Sequence, residues 1–368
     1  YSNTSATGYN KANGNDVTMT ATSSATLYSY MGCYGYAANK DVNEAIGNNV
    51  YMKTTGSAIN YLAYQNDGCT LTDNVCEVRA NSQAYGLYSY GYSSGTKPWT
   101  IANNKVIAVG GSSTVLGLYY FYCANADIVN NSVYAKGTST VYGLYGGYNK
   151  NGGARIFNNT VHAESSSTNY TFYCYQYNAG EFAEVKNNVF SRAGGTSGYL
   201  VYIGQANSAF YDMDYNNLYN NGTTMMYSGA TGGTWATVPA MRTALGFNKN
   251  SLSYNPGFYS TSATAPDLRP DPANANSWSL NGRGVQINGN DKDINGNNRA
   301  LTTIAGVPDI GAYEFTPTAT PPNCTLTPAA PPANGTQVVT FGDDTVAVLK
   351  WGNTVPTGFA VKQYTGTN

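Results

Sequence analysis

The chain has 368 residues, 11% of them charged, with a formal net charge of -1. So sparse and balanced a charge leaves no electrostatic footprint for nucleic acid or an anionic membrane surface. A single histidine, His162, excludes a multi-histidine metal site, and no run approaches the roughly 18 apolar residues that a bilayer-spanning helix needs.

The sequence holds 45 Asn, 41 Gly and 34 Tyr. Tyrosine, threonine and valine suit strands, whereas asparagine and glycine suit tight bends, so an all-β chain with many turns is expected. The sequence begins at Tyr1 with no charged-then-apolar leader; the expectation is that a signal peptide is absent or already removed.

An Asn-Asn pair followed by an apolar residue recurs as Asn48-Asn49-Val50, Asn103-Asn104, Asn130-Asn131, Asn158-Asn159, Asn187-Asn188-Val189 and Asn216-Asn217-Leu218, with Asp73-Asn74-Val75 a weaker copy. The second asparagines, at 49, 74, 104, 131, 159, 188 and 217, are separated by 25, 30, 27, 28, 29 and 29 residues. A second signature keeps the same rhythm: Tyr85-Gly86-Leu87-Tyr88, Leu116-Gly117-Leu118-Tyr119 and Tyr142-Gly143-Leu144-Tyr145, with looser copies at Tyr170-Thr171-Phe172-Tyr173 and Tyr199-Leu200-Val201-Tyr202. Each repeat holds two or three short alternating segments and no helical one, so each turn is predicted to be three short strands. Turns stacked about 4.8 Å apart form a parallel β-helix, and seven or eight of them a rod about 35–40 Å long. Asparagines recurring at one corner are expected to hydrogen-bond to one another along the axis.

These repeats, over roughly residues 15–220, resemble the right-handed parallel β-helix repeat proteins of the pectin-lyase-like superfamily. A second match is the ordered series Asp214-Tyr215-Asn216-Asn217-Leu218-Tyr219, Trp235 to Leu245, Ser251 to Phe258, Asp267-Leu268-Arg269-Pro270, Asp293 to Arg299 and Asp309 to Phe315. It is similar to the C-terminal closure of secreted β-helix proteins, especially those of Bacteroidota, many of which leave by the type 9 secretion route. The expected organisation is β-helix repeats over 1–230 and a cap over 231–315, with one short helix within Thr237 to Leu245. A cap is needed because an open last turn exposes strand edges. A Pro/Thr-rich linker over 316–333 follows. Residues 334–368, with Val346 to Trp351, resemble the first part of a fibronectin-type-III-like β-sandwich. They are too short to close one, so the chain is expected to be part of a longer polypeptide.

For chemistry, the carboxylates and bases that β-helix enzymes cluster on neighbouring turns are sparse: Asp127, Arg155, His162, Glu164, Glu181, Glu184, Lys186, Asp212 and Asp214. Asp212 and Asp214 share a strand face, as do His162 and Glu164, but no partner carboxylate is expected in phase one turn earlier. His162 reads as a solvent-facing strand residue, and Asp212 and Asp214 as structural. Asp291, Asp293 and Asn295 fit the start of a calcium loop, yet Thr302 stands where a bidentate Glu belongs, so carboxylates capping backbone amides are the competing reading. Of Cys33, Cys69, Cys76, Cys123, Cys174 and Cys324, none forms a CxxC pair. Cys123 and Cys174 are two turns apart, whereas Cys69 is near enough in sequence to bridge to Cys76 or Cys33.

The tyrosines are the leading candidates. With Leu87 inward, Tyr88 and Tyr90 point outward, and the register carries Tyr119, Phe121, Tyr145, Tyr173 and Tyr175 to the same face. Such a flat aromatic ladder suits sugar rings or a protein surface; the alternative is that it only stiffens the rod. The resulting expectation is a non-enzymatic, secreted surface module acting in adhesion or display, with a glycan or cell-surface protein as partner. It has no catalytic residues and no membrane insertion, and needs no cofactor unless calcium binds. The rival readings are a polysaccharide lyase or glycoside hydrolase on the same scaffold, and a subunit of an extracellular filament.

Overall fold

The alternating segments of each repeat become three strands, as in Ala126–Val129, Ser132–Gly137 and Thr140–Gly147. The computed structural model describes residues 11–30, 43–93, 95–149, 152–175, 181–204, 211–222, 224–229, 231–300 and 306–320. Corresponding strands of successive turns pair in parallel and build two 8-stranded sheets and one 9-stranded sheet. The protein is a parallel β-helix. Among the described residues no helix is long and apolar enough to cross a membrane.

The interior follows from strict register. In the first sheet Leu71, Ile101, Ile128, Ile156, Val185 and Met213 stack above one another. Cys76, Val106, Val133, Val161, Phe190 and Leu218 do so in the second, and Leu87, Leu118, Leu144, Phe172 and Val201 in the third. All are buried in one cluster, and burying each such side chain stabilises by about 1.5–3 kcal/mol. The same geometry explains the Gly of the Tyr-Gly-Leu-Tyr signature. A Cβ at Gly86, Gly117 or Gly143 would lie 2.4, 2.5 or 2.6 Å from Val106, Val133 or Val161, so the third sheet can approach the second only where that side chain is missing. On the next two turns the second sheet has Phe190 and Leu218 in place of valine, and the signature loosens to Thr171 and Leu200.

At the corner between the first and second sheets, the residue opening the bend is left-handed: Gly47, Asp73, Asn103, Asn130, Asn158, Asn187 and Tyr215 all have φ between 53° and 66°. Asn and Gly tolerate this conformation best. The next residue forms the internal ladder, which runs Asn48, Asn74, Asn104, Asn131, Asn159, Asn188 and Asn216, each fully buried. From Asn74 on, each Oδ1 accepts both the backbone N–H and the Nδ2–H of the asparagine one turn before it, at 2.9–3.0 Å. The second Nδ2 hydrogen goes to a backbone carbonyl, as from Asn131 to Ile101 at 2.8 Å. Membership corrects the sequence-based register at both ends: Asn48 and Asn216, not Asn49 and Asn217, are the rungs. Gly47 and Tyr215 take the left-handed place there, which shifts the pair by one.

The last rung is closed from outside the repeats. The Asn216 N–H donates to Ser251 Oγ at 2.9 Å, and that hydroxyl donates to Asn248 Oδ1 at 2.9 Å. The helix Val238–Leu245, N-capped by Thr237, places Val238 and Met241 on the end of the core, and Gly233–Trp235 ends the third sheet antiparallel to Met226–Ser228. Beyond this lid, the chain returns along the side of the rod. Tyr254 bonds Asn217, Phe258 meets the ring of His162, Thr261 accepts from Tyr134 Oη at 2.9 Å and Ala263 accepts from Arg79 at 2.6 Å. The outer face of the second sheet is thereby covered at Tyr134, His162 and Ser191, which are buried. A later stretch binds the left-handed corner asparagines: Val285 pairs with Asn187 and Asn290 with Asn130 and Asn158.

The chain divides between Pro321 and Pro322. Most of the expected linker, and the whole of the expected half-sandwich over 334–368, lie outside the described residues.

Candidate functional site

Tyr88, Tyr119, Tyr145 and Tyr173 stand in register on the outer face of the third sheet, with Leu87, Leu118, Leu144 and Phe172 buried beneath. The column is longer than the sequence pattern indicates. Tyr30 and Tyr61 precede it and Tyr202 and Tyr227 follow it, so eight consecutive strands each contribute a tyrosine. Ring centroids from Tyr30 to Tyr227 are 4.7, 4.9, 4.4, 5.0, 4.5, 4.3 and 4.9 Å apart. Several pairs lie nearly parallel, as Tyr173 and Tyr202 at 6° and Tyr88 and Tyr119 at 18°. Others meet edge to face, as Tyr119 and Tyr145 at 80°. Both arrangements suit the quadrupole of aromatic rings.

Two flanking files widen the surface. Tyr85, Leu116, Tyr142, Tyr170 and Tyr199 run on one side. On the other, Tyr90, Phe121, Gly147 and Tyr175 are aligned, so Tyr90 and Tyr175 share the face but not the column. Tyr148 bridges that file at its glycine, 5.0 Å from Phe121 and 5.3 Å from Tyr175. Tyr61 was hidden in sequence because its strand, Ala58–Asn66, shifts register against the next. Tyr202 was legible as part of a loose signature copy, whereas Tyr227 follows Met226 with no signature around it.

Burial is the main influence on the phenols. It raises Tyr88, Tyr119 and Tyr173 well above the usual value near 10. Burial, then the neighbouring Tyr30, Tyr28, Tyr64 and Tyr85, push Tyr61 up to about 12. All are neutral hydroxyls at physiological pH. The rings are half-buried by one another, with Tyr28 and Tyr30 at the end 48% and 55% exposed.

The charged candidates form a separate line on the outer face of the first sheet, where Asp127, Arg155, Glu184 and Asp212 occupy successive turns. Glu184 therefore stands in phase with Asp212, which corrects the expectation that no carboxylate does; the repeat spacing aligns them. Arg155 chelates Asp127, and Lys186 bridges Glu184 at 2.6 Å and Asp212 at 2.8 Å. Burial works against the Lys186 charge, but the bonds to Asp212 and Glu184 outweigh it and hold the ammonium above its usual range. Asp214 accepts from Asn250 N and Nδ2 at 2.6 and 2.8 Å, tying the repeats to the cap. Glu181 is buried. Glu164 pairs with Lys136 at 2.7 Å.

His162 corrects a second expectation. It is not solvent-facing but 4% exposed, between Tyr134 and Phe258, with Nδ1 3.0 Å from Ser191 Oγ. The returning cap strand buries it, and burial, then Lys136, lowers its pKa to about 4; such a ring stays neutral.

At the calcium-like loop, Asp293 Oδ1 accepts from the N–H groups of Asn295 and Asn297, and Oδ2 from Asn297 Nδ2 and Glu314 N, at 2.7–3.0 Å. Four donors occupy the lone pairs that a cation would need. Asn295 Oδ1 faces Lys105 Nζ at 3.4 Å, and Asp291 is exposed, its carbonyl accepting from Arg299 N. The residues therefore build a capped turn. Among the described residues no group of three or more His, Cys, Asp or Glu is placed to hold a metal ion. Cys76, Cys123 and Cys174 are buried free thiols, each pushed up to about 12 by burial. Cys69 and Cys76 therefore form no bridge; Cys33 and Cys324 lie outside the described residues.

No protein-family model, curated protein or solved structure matches this chain.

Proposed function

We propose that this chain is a non-enzymatic, extracellular β-helix module of a larger surface protein, and that it binds glycan through its tyrosine face in adhesion or display. The observation that supports this reading is the run of eight in-register tyrosines flanked by two further aromatic files. Sugar rings present apolar faces and hydroxyl edges together, and a tyrosine offers the matching pair, a flat apolar ring with a polar tip. Rings already held by their neighbours lose little conformational freedom when a ligand settles on them, so the platform is preorganised. The ion-paired Lys186 also favours a binding role, because a cation held by two carboxylates is a poor proton acceptor. On this reading the pectin-lyase-like and Bacteroidota resemblance of the repeats, the fibronectin-like start at 334–368 and export by the type 9 route describe a domain carried on a secreted adhesin.

The test is retention of the full chain on a panel of neutral and acidic polysaccharides, compared with the double variant Tyr88→Ala plus Tyr145→Ala. The expected result is saturable binding that the double variant loses while its circular dichroism is unchanged. Unaltered binding by the variant would remove this face from the reading, and turnover of any polysaccharide would replace binding by catalysis.

A further inference from the structure

The same column has a chemistry that does not depend on any ligand. We infer that it is a site of oxidative phenol coupling, in which tyrosines on adjacent turns are joined carbon to carbon and the rungs of the rod become covalently stapled.

Three observations carry this. First, the spacing: Tyr173 and Tyr202 have centroids 4.3 Å apart and planes within 6°, and Tyr88 and Tyr119 are 4.4 Å apart within 18°. Their rings are in van der Waals contact, held there by the pairing of their own strands. Second, continuity: with no centroid step above 5.0 Å from Tyr30 to Tyr227, a phenoxyl radical formed at the exposed end has a neighbour on the next turn throughout. Third, among the described residues most of the competing sulfur is withdrawn, the partly buried Met19 being the exception. Cys76, Cys123 and Cys174, with Met52, Met213, Met226 and Met241, are at most 1% exposed, and thiols so buried are not thiolates. An oxidant arriving from solvent meets phenols before any of these.

The step requires a one-electron oxidant of the peroxidase class, with hydrogen peroxide as terminal acceptor. Each of two phenols loses one electron and one proton. The two phenoxyl radicals combine at the ring carbons ortho to oxygen, forming one C–C bond, and each ortho hydrogen is lost from carbon as its oxygen is reprotonated. Two electrons and two protons leave in total, and they reduce one peroxide to two waters.

The experiment treats the full native chain with a heme peroxidase and hydrogen peroxide, follows dityrosine fluorescence, and maps linked peptides by mass spectrometry. The expected result is cross-links joining Tyr173 to Tyr202 and Tyr88 to Tyr119 within single chains, at a yield several-fold above that of the urea-unfolded chain. Tyr202→Phe, which keeps the ring in the stack, should abolish the first link and leave the second. Links scattered without regard to the column, links only between chains, equal yield from the unfolded chain, or oxidation confined to sulfur would each overturn the inference.

Discussion

The rod carries two ladders of a single residue type, one at its inner corner and one on its outer face, and they differ in what they leave unused. In the asparagine ladder every Oδ1 and Nδ2 is consumed within the fold, and each member is fully buried. In the tyrosine column the rings pack on one another along the axis, while each side chain stays partly exposed at the surface. A ladder that has spent all its bonds internally can do nothing but hold the backbone. One that is half satisfied holds the backbone less tightly but retains capacity for something outside.

The sharpest way to break this contrast is Asn131→Ala. It removes the acceptor for both the N–H and the Nδ2 of Asn104 and the donor to Ile101, leaving buried polar groups unpaired at about 1–3 kcal/mol each. The expected loss is about 2–5 kcal/mol, read from the urea midpoint; a loss below about 1 kcal/mol would mean that the ladder is ornamental. A smaller effect separates the ladders by pH. Asparagine does not titrate, but the phenols of this face ionise less readily folded than unfolded, with Tyr61 in the column and Tyr142 in the flanking file at about 12. Their raised values mean that the stability they contribute is complete below pH 10 and is lost between pH 10 and 12, as the unfolded chain gives up its protons first. Thermal melts should fall in that window while tyrosinate absorbance lags behind that of free tyrosine; melts indifferent to it would show the phenols to be solvated. The smallest effect expected is that of Tyr119→Phe. It keeps the ring 4.4 Å from Tyr88 and should change stability by no more than about 0.5 kcal/mol. A larger loss would show that hydroxyls, not rings, hold the column.

Much of this was legible in the sequence, and the reason is periodicity. A residue needed once per turn recurs about every 28 positions, so both ladders announce themselves, and Gly86, Gly117 and Gly143 mark where sheets approach. What stayed hidden is non-periodic. The cap strand that buries His162 comes from Phe258, nearly a hundred residues away, and nothing near His162 signals it. The exchange of Asn49 for Asn48 and of Asn217 for Asn216 depends on which residue turns left-handed, a choice that Gly47 and Tyr215 make locally. The alignment of Glu184 with Asp212 was available from the repeat spacing, since 28 residues separate them, but it emerges only once exact strand pairing is known.

The bonds between the later cap stretch and the corner asparagines set a count. Val285 meets Asn187, Asn290 spans Asn158 and Asn130, and Asn295 reaches Lys105, so this one stretch is measured against four successive turns. Solenoids commonly change length by duplicating or dropping a repeat, because neighbours interact only with neighbours. Here a duplication inside this span would slide half of the docking partners out of reach, so the closing segment acts as a ruler that fixes how many turns this part of the rod can have.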